Sequence, residues 1–278
     1  MRIIDTRFRP GTPDTFRGIL SNPLYKSFSE TTNFAARPTA SLDEEVAMLR
    51  GLGVTRAVVT GRDIASTEDV MSTNPGMLES VARYPDFFIG LYGVDPHPLM
   101  KSLRALRAEI GNGVRGISID PAMSRLSAGD PKYYPFYALC SEENLCAAIT
   151  TGCSVGMPGV TLEQHAPWHI DRVAADFPDL KIIISHGGYP WITETMGVAL
   201  RHANVYMDFS ACLRLPQFMQ YVEAANGALM NKILFASAHP FTHIRDTLKL
   251  YEEMPLSGEA RERIMYANAA RLFGVKEV

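Results

Sequence analysis

Cysteine is sparse and unpatterned in this chain: Cys140, Cys146, Cys153 and Cys212 lie six, seven and fifty-nine positions apart. No CxxC pair arises, so neither a structural metal knot nor a dithiol redox motif is encoded, and the four read as reduced, mostly buried thiols. An excess of charge of one sign is also missing. Twenty-seven basic against thirty acidic residues leave a net charge of -3, with no basic footprint for nucleic acid and no like-charge run for a tail or a membrane surface. Long apolar runs are absent too: nothing approaches the roughly 20 residues needed to span a bilayer. Met1-Arg2 lead straight into a strand with no apolar signal core, so the expected location is cytoplasmic. What remains is an ordinary globular balance, 46% hydrophobic and 21% charged. It supports a large core, and a small molecule is the expected partner.

What is present is an alternation. Short apolar runs of strand length recur at 3–5, 56–60, 87–94, 114–119, 146–150, 181–185, 204–207 and 232–235, with helix-compatible segments between them. Eight βα units predict a closed (β/α)8 TIM barrel, in which continuous apolar blocks such as Ile182-Ile183-Ile184 form the buried parallel strands. At 278 residues the chain fits one such domain, 1–278, since these barrels run to about 250 residues. Ser41 followed by Glu44 is a capping box opening a helix that stops at Gly51-Leu52-Gly53. Further helices are expected at 135–143, 161–176, 190–200, 216–225 and 242–252. Two stretches resist, about 10–38 and 153–168. Both read as long loops shaping the entrance to an active site.

In such barrels reactive groups stand at the carboxyl ends of the strands. Arg7 and Arg9, two apart at the end of the first strand, point to one side and predict a clamp for an anion, because guanidinium stays charged and forks to a carboxylate. The plainer alternative is an ion pair of one arginine with Asp5 or a neighbouring strand-end acid, the other lying on the surface. His186 closes the sixth strand ahead of Gly187-Gly188 and His239 follows the eighth; either imidazole suits proton transfer near neutral pH. Asp120, just past the fourth strand, reads as a partner base or as a loop cap before Pro121. Ser118, Thr150, Thr151 and Ser237 are small hydrogen-bonding groups expected to line the pocket. A Ser237-His186-Asp120 triad is conceivable on strand ends, but no Gly-x-Ser-x-Gly elbow supports it.

Four phrases carry a family resemblance: FPDLKIIISHGG at 177–188, NVYMDFS at 204–210, ILFASAHP at 233–240 and NAARLFG at 268–274. They resemble the amidohydrolase superfamily, in the branch of aminocarboxymuconate-semialdehyde decarboxylase and 2-pyrone-4,6-dicarboxylate lactonase. The resemblance implies an Asp-x-His-x-His metal site at strand one, a strand-five histidine and a strand-eight aspartate. Those positions carry Arg7 and Arg9, Thr150 and Ala238. Only the strand-six histidine, to which the resemblance assigns proton transfer or carbonyl polarisation, remains as His186.

The sequence therefore predicts a metal-independent enzyme without cofactor that hydrolyses a small carboxylated compound, an activated lactone or ester, since no metal hydroxide is at hand to attack an unstrained amide. Decarboxylation of an unsaturated or aromatic acid is the second reading, and organic-acid binding without turnover the third. Barrels of this kind often form homo-oligomers, and no interface is legible in the sequence.

Overall fold

The computed structural model describes residues 1–68, 70–152 and 160–276. Eight parallel strands pair in sequence order: β1 (Ile3–Phe8), β2 (Val54–Thr60), β3 (Phe88–Gly93), β4 (Val114–Ile119), β5 (Cys146–Thr150), β6 (Lys181–Ser185), β7 (Val205–Asp208) and β8 (Ile233–Leu234). Closure of β8 onto β1 runs beyond the short last strand. Thr6 N–H donates to the Phe235 carbonyl at 2.9 Å, Ala238 N–H to Arg7 at 3.0 Å and Arg9 N–H to His239 at 3.0 Å. The result is a (β/α)8 TIM barrel.

The strands are buried on both faces, which is why they read as unbroken apolar blocks. Ile4, Val58, Leu91, Ala148, Ile183 and Leu234 pack together as one cluster, while the alternate set, among them Val59, Ile117, Ile149, Ile184 and Met207, packs in a larger cluster with residues of the surrounding helices. All eight expected strands exist; β4, β5 and β6 have the expected bounds, and the ends of the others shift by at most three residues. β1 is the largest change, because it runs on to Phe8 and so carries Arg7 within the strand and Arg9 one position past it.

The helix Leu42–Gly51 has the expected capping box, with Ser41 N–H and Oγ both 2.8 Å from Glu44 Oε2 and Glu44 N–H 3.3 Å from Ser41 Oγ. The stretch 10–38 is not the irregular loop its composition suggested. It forms the helices Pro13–Ser21 and Lys26–Thr32 with short 3-10 turns at Pro23–Tyr25 and Phe34–Ala36. Thr12 caps the first helix and Pro13 occupies its opening turn, where the missing N–H costs nothing. These helices are held by an aromatic cluster of Phe16, Phe28, Phe34 and Phe241; the first buries Phe16 and Ile19 one turn apart, but at nine and seven residues both are too short for periodicity to stand out. Of the other expected loop, 153–159 lies outside the described residues; Leu162–His165 is a 3-10 turn and Pro167–Asp176 a helix.

Candidate active site

Charge collects at the carboxyl ends of β1, β2, β4 and β7. Arg7 is buried and reaches across the barrel to β5 and β6, donating to Thr150 Oγ1 at 3.0 Å and to Ser185 Oγ at 3.1 Å. Arg9 is buried as well, yet its Nη2 has no hydrogen-bond partner among the described residues. Burial, reinforced by repulsion from Arg62 and Arg7, pushes the Arg9 guanidinium well below its usual pKa, with Asp120 opposing. Since arginine does not give up its proton in practice, that strain is a demand for a counter-anion.

Asp120 does not stand free. Arg62 grips it bidentately, Nε to Oδ2 and Nη2 to Oδ1 both at 2.9 Å, and Arg62 Nη1 also contacts the Tyr25 hydroxyl from the helical segment above. Burial alone would raise this carboxyl; the attraction of Arg62, aided by Arg7 and Arg9, overcomes it and holds Asp120 far below the usual carboxylate range. Three guanidiniums, Arg7, Arg9 and Arg62, thus share a neighbourhood with two carboxylates, Asp120 and Asp208. The balance is positive.

His186, at the end of β6, takes a left-handed backbone conformation with φ 67°. Its Nδ1 lies 2.8 Å from the Ser210 carbonyl, which can only accept, so Nδ1 carries the hydrogen and Nε2 the lone pair. Asp208 fixes this corner: its Oδ1 accepts from His186 N–H at 3.2 Å and Ser210 N–H at 2.9 Å, and from the Ser210 hydroxyl. Asp208 Oδ2 is buried without a partner among the described residues. Burial, with repulsion from Arg7, lowers the His186 pKa to about 4. The ring is therefore neutral at pH 7.

The remaining expected residues divide. Ser118 is buried on β4 with its hydroxyl unpartnered among the described residues. Thr151 donates to the Ser185 carbonyl at 2.5 Å and accepts from Gly188 N–H at 3.0 Å, holding the turn that presents His186. Ser237 joins neither His186 nor Asp120: its Oγ is 2.5 Å from Asp5 Oδ2, and Asp5 Oδ1 accepts the Ser237 and Arg7 N–H groups at 3.0 and 3.1 Å. Burial raises Asp5 to about 6 against those hydrogen bonds. His239 stacks on Phe8 with ring centroids 5.1 Å apart and stands 3.3 Å from Glu45, outside the arginine cluster. Sequence reasoning gave no role to Arg62, Ser185, Asp208 or Ser210. The strand-end rule does pick out Arg62, Asp208 and Ser210 as positions without saying what each does; Ser185, the last residue of β6, it does not pick out.

Residues 25–275 match the amidohydrolase family profile. The chain belongs to the amidohydrolase family. None of the curated proteins compared matches it. Among solved structures, an uncharacterized TIM-barrel protein, Bb4693, from Bordetella bronchiseptica is 27% identical over 99% of each chain, with a TM-score of 0.82. A 2,6-dihydroxybenzoate decarboxylase from Rhizobium is 15% identical over 99% of each chain, TM-score 0.72. A 5-carboxyvanillate decarboxylase from Novosphingobium aromaticivorans, complexed with manganese, is 15% identical over 99% of this amidohydrolase chain and 96% of its own, TM-score 0.69.

The described residues at the mouth of this amidohydrolase do not fit such an ion. Among the described residues no three His, Cys, Asp or Glu side chains converge as a metal-ligating group. Arg7 and Arg9, which stand where the family resemblance puts metal ligands, present positive charge and N–H donors, and a divalent cation needs lone pairs.

Proposed function

We propose that this amidohydrolase is a metal-independent hydrolase of a small carboxylated ester or lactone. The observation that carries the reading is the geometry of His186: its Nδ1 lies 2.8 Å from the Ser210 carbonyl, which leaves Nε2 with the lone pair, while burial and the charge of Arg7 favour the neutral ring. In this reading the substrate carboxylate meets the unpartnered Nη2 of Arg9, and Arg62 and Asp120 hold each other so that Asp120 sets charge and position instead of taking protons. His186 Nε2 removes a proton from water as its oxygen attacks the carbonyl. The oxyanion is stabilised by Arg7, whose guanidinium is fixed in advance by Thr150 and Ser185. The imidazolium then returns the proton to the leaving oxygen.

Decarboxylation is the second reading, favoured by the activities of the structural neighbours. It asks His186 to deliver a proton to carbon, for which a ring with a pKa of about 4 is mostly in the wrong form at pH 7. A panel of carboxylated lactones and hydroxybenzoates, followed by product analysis, separates the two. Hydrolysed product without carbon dioxide supports the proposal; carbon dioxide release overturns it in favour of the second reading. Activity unchanged by chelator, with no stoichiometric metal in the purified protein, is the expected companion result, and chelator-sensitive turnover would sink metal independence.

A further inference from the structure

A cavity of about 840 Å³ lies between the helices Leu42–Gly51 and Ile244–Glu253; its lining includes Ser237 and His239 but none of Arg7, Arg9, Arg62, Asp120 or His186. Two of its lining groups are ionisable, almost fully buried and unsatisfied. Glu45 is 5% exposed and His239 4%. Glu45 Oε2 and both ring nitrogens of His239 have no hydrogen-bond partner among the described residues; the 3.3 Å contact between them is close enough for an ion pair but off the hydrogen-bonding direction. A buried carboxylate with an idle oxygen costs free energy that a bound donor would recover.

The surroundings choose the sign of that donor. Glu45 lies in the first turn of its helix, where the helix dipole suits negative charge. Phe16, Phe28 and Phe241 line the same cavity, and aromatic rings attract cations and accommodate apolar bodies. Its two arginines do not oppose this: Arg214 is exposed, and Arg37 donates to the Pro240 and Phe241 carbonyls at 3.0 and 2.9 Å. We propose that this cavity is a second binding site, for a small organic amine whose ammonium meets Glu45 beside His239 and whose apolar body rests on the phenylalanines. It is independent of the anion site at the barrel mouth.

Gly11 provides a block that changes neither ionisable residue. A Cβ there would come within 2.7 Å of Glu45 Oε1 and 3.0 Å of His239 Nε2, so an alanine displaces the carboxylate the amine needs. Titration calorimetry with 2-phenylethylamine, 3-phenylpropionate and 2-phenylethanol tests the proposal. Saturable binding of the amine is expected, at least tenfold tighter than that of the acid or the alcohol. Glu45→Gln and Gly11→Ala are each expected to weaken it tenfold or more, with folding checked by circular dichroism, while Arg9→Gln leaves it unchanged. If Glu45→Gln does not fold, the Gly11→Ala result decides. No binding of the amine, equal binding of the acid, or affinity unmoved by the folded variants overturns the assignment; loss on Arg9→Gln would place the amine at the mouth instead.

Discussion

Asp5 and His186 are pulled in opposite directions by the same cause. Burial favours the neutral form of each, raising the acid to about 6 and lowering the imidazole to about 4. For Asp5 the folded pKa exceeds the unfolded value near 3.9, so its stabilising contribution is present below about pH 4 and lost as pH rises through 6. For His186 the folded pKa lies below the unfolded value near 6.5, so its contribution is present above about 6.5 and lost as pH falls through 4. Each shift corresponds to about 3 kcal/mol, and between pH 4 and 6.5 the two nearly cancel. Chemical denaturation of the Asp5→Asn variant is therefore expected to show stability climbing by about 3 kcal/mol across that window relative to the wild type; parallel curves would refute the assignment. In the proposed hydrolysis the same His186 pKa governs the base. The acid limb of kcat/KM is expected to have its midpoint near pH 4, and His186→Ala to lower kcat by 10²–10⁴-fold, the usual weight of a general base. In the proposed hydrolysis Arg9 Nη2 meets the substrate carboxylate and not the water, so Arg9→Gln is expected to act mainly on KM.

Among the elements, the helical segment over the mouth is the one whose sequence hid its structure. Phe34 is fully buried in that segment, stacked on Phe16 and Phe241 with centroids 4.5 and 5.9 Å apart, and Tyr25 reaches down to Arg62. Helices of nine and seven residues are too short for a 3.6 period to stand out, whereas Leu42–Gly51 announced itself through its cap. Removing the knot tests its role. Phe34→Ala should cost about 3–5 kcal/mol locally, so hydrogen exchange across 13–36 is expected to accelerate while β3 through β6 keep their protection. Acceleration throughout the barrel would show that the segment is part of the global folding unit rather than a separately stabilised cover.

On the scale of the whole molecule, the barrel was legible because its strands are buried on both sides and so appear as unbroken runs such as Ile182-Ile183-Ile184. The site was legible only as positions at strand ends. That Asp120 would be consumed by Arg62, and Ser237 by Asp5, depends on which strand ends face each other across the barrel, and no local pattern records that. Metal binding is likewise a property of several strands at once. The resemblance places the missing ligands at Arg7, Arg9, Thr150 and Ala238, on β1 and one position past it, at the end of β5 and beyond β8, so a single restoration gives too few lone pairs for an ion that takes about four ligands. Ala238 has φ 57°, a conformation that aspartate accepts more readily than most residues. The combined variant Arg7→His/Arg9→His/Thr150→His/Ala238→Asp removes two buried guanidiniums and supplies three imidazoles and a carboxylate. It is expected to take up about one equivalent of zinc or manganese by elemental analysis, with Tm rising on metal addition, whereas Ala238→Asp alone takes up none. Metal uptake by the wild-type chain would mean that its arginines swing aside, and would overturn the reading of a mouth built for an anion.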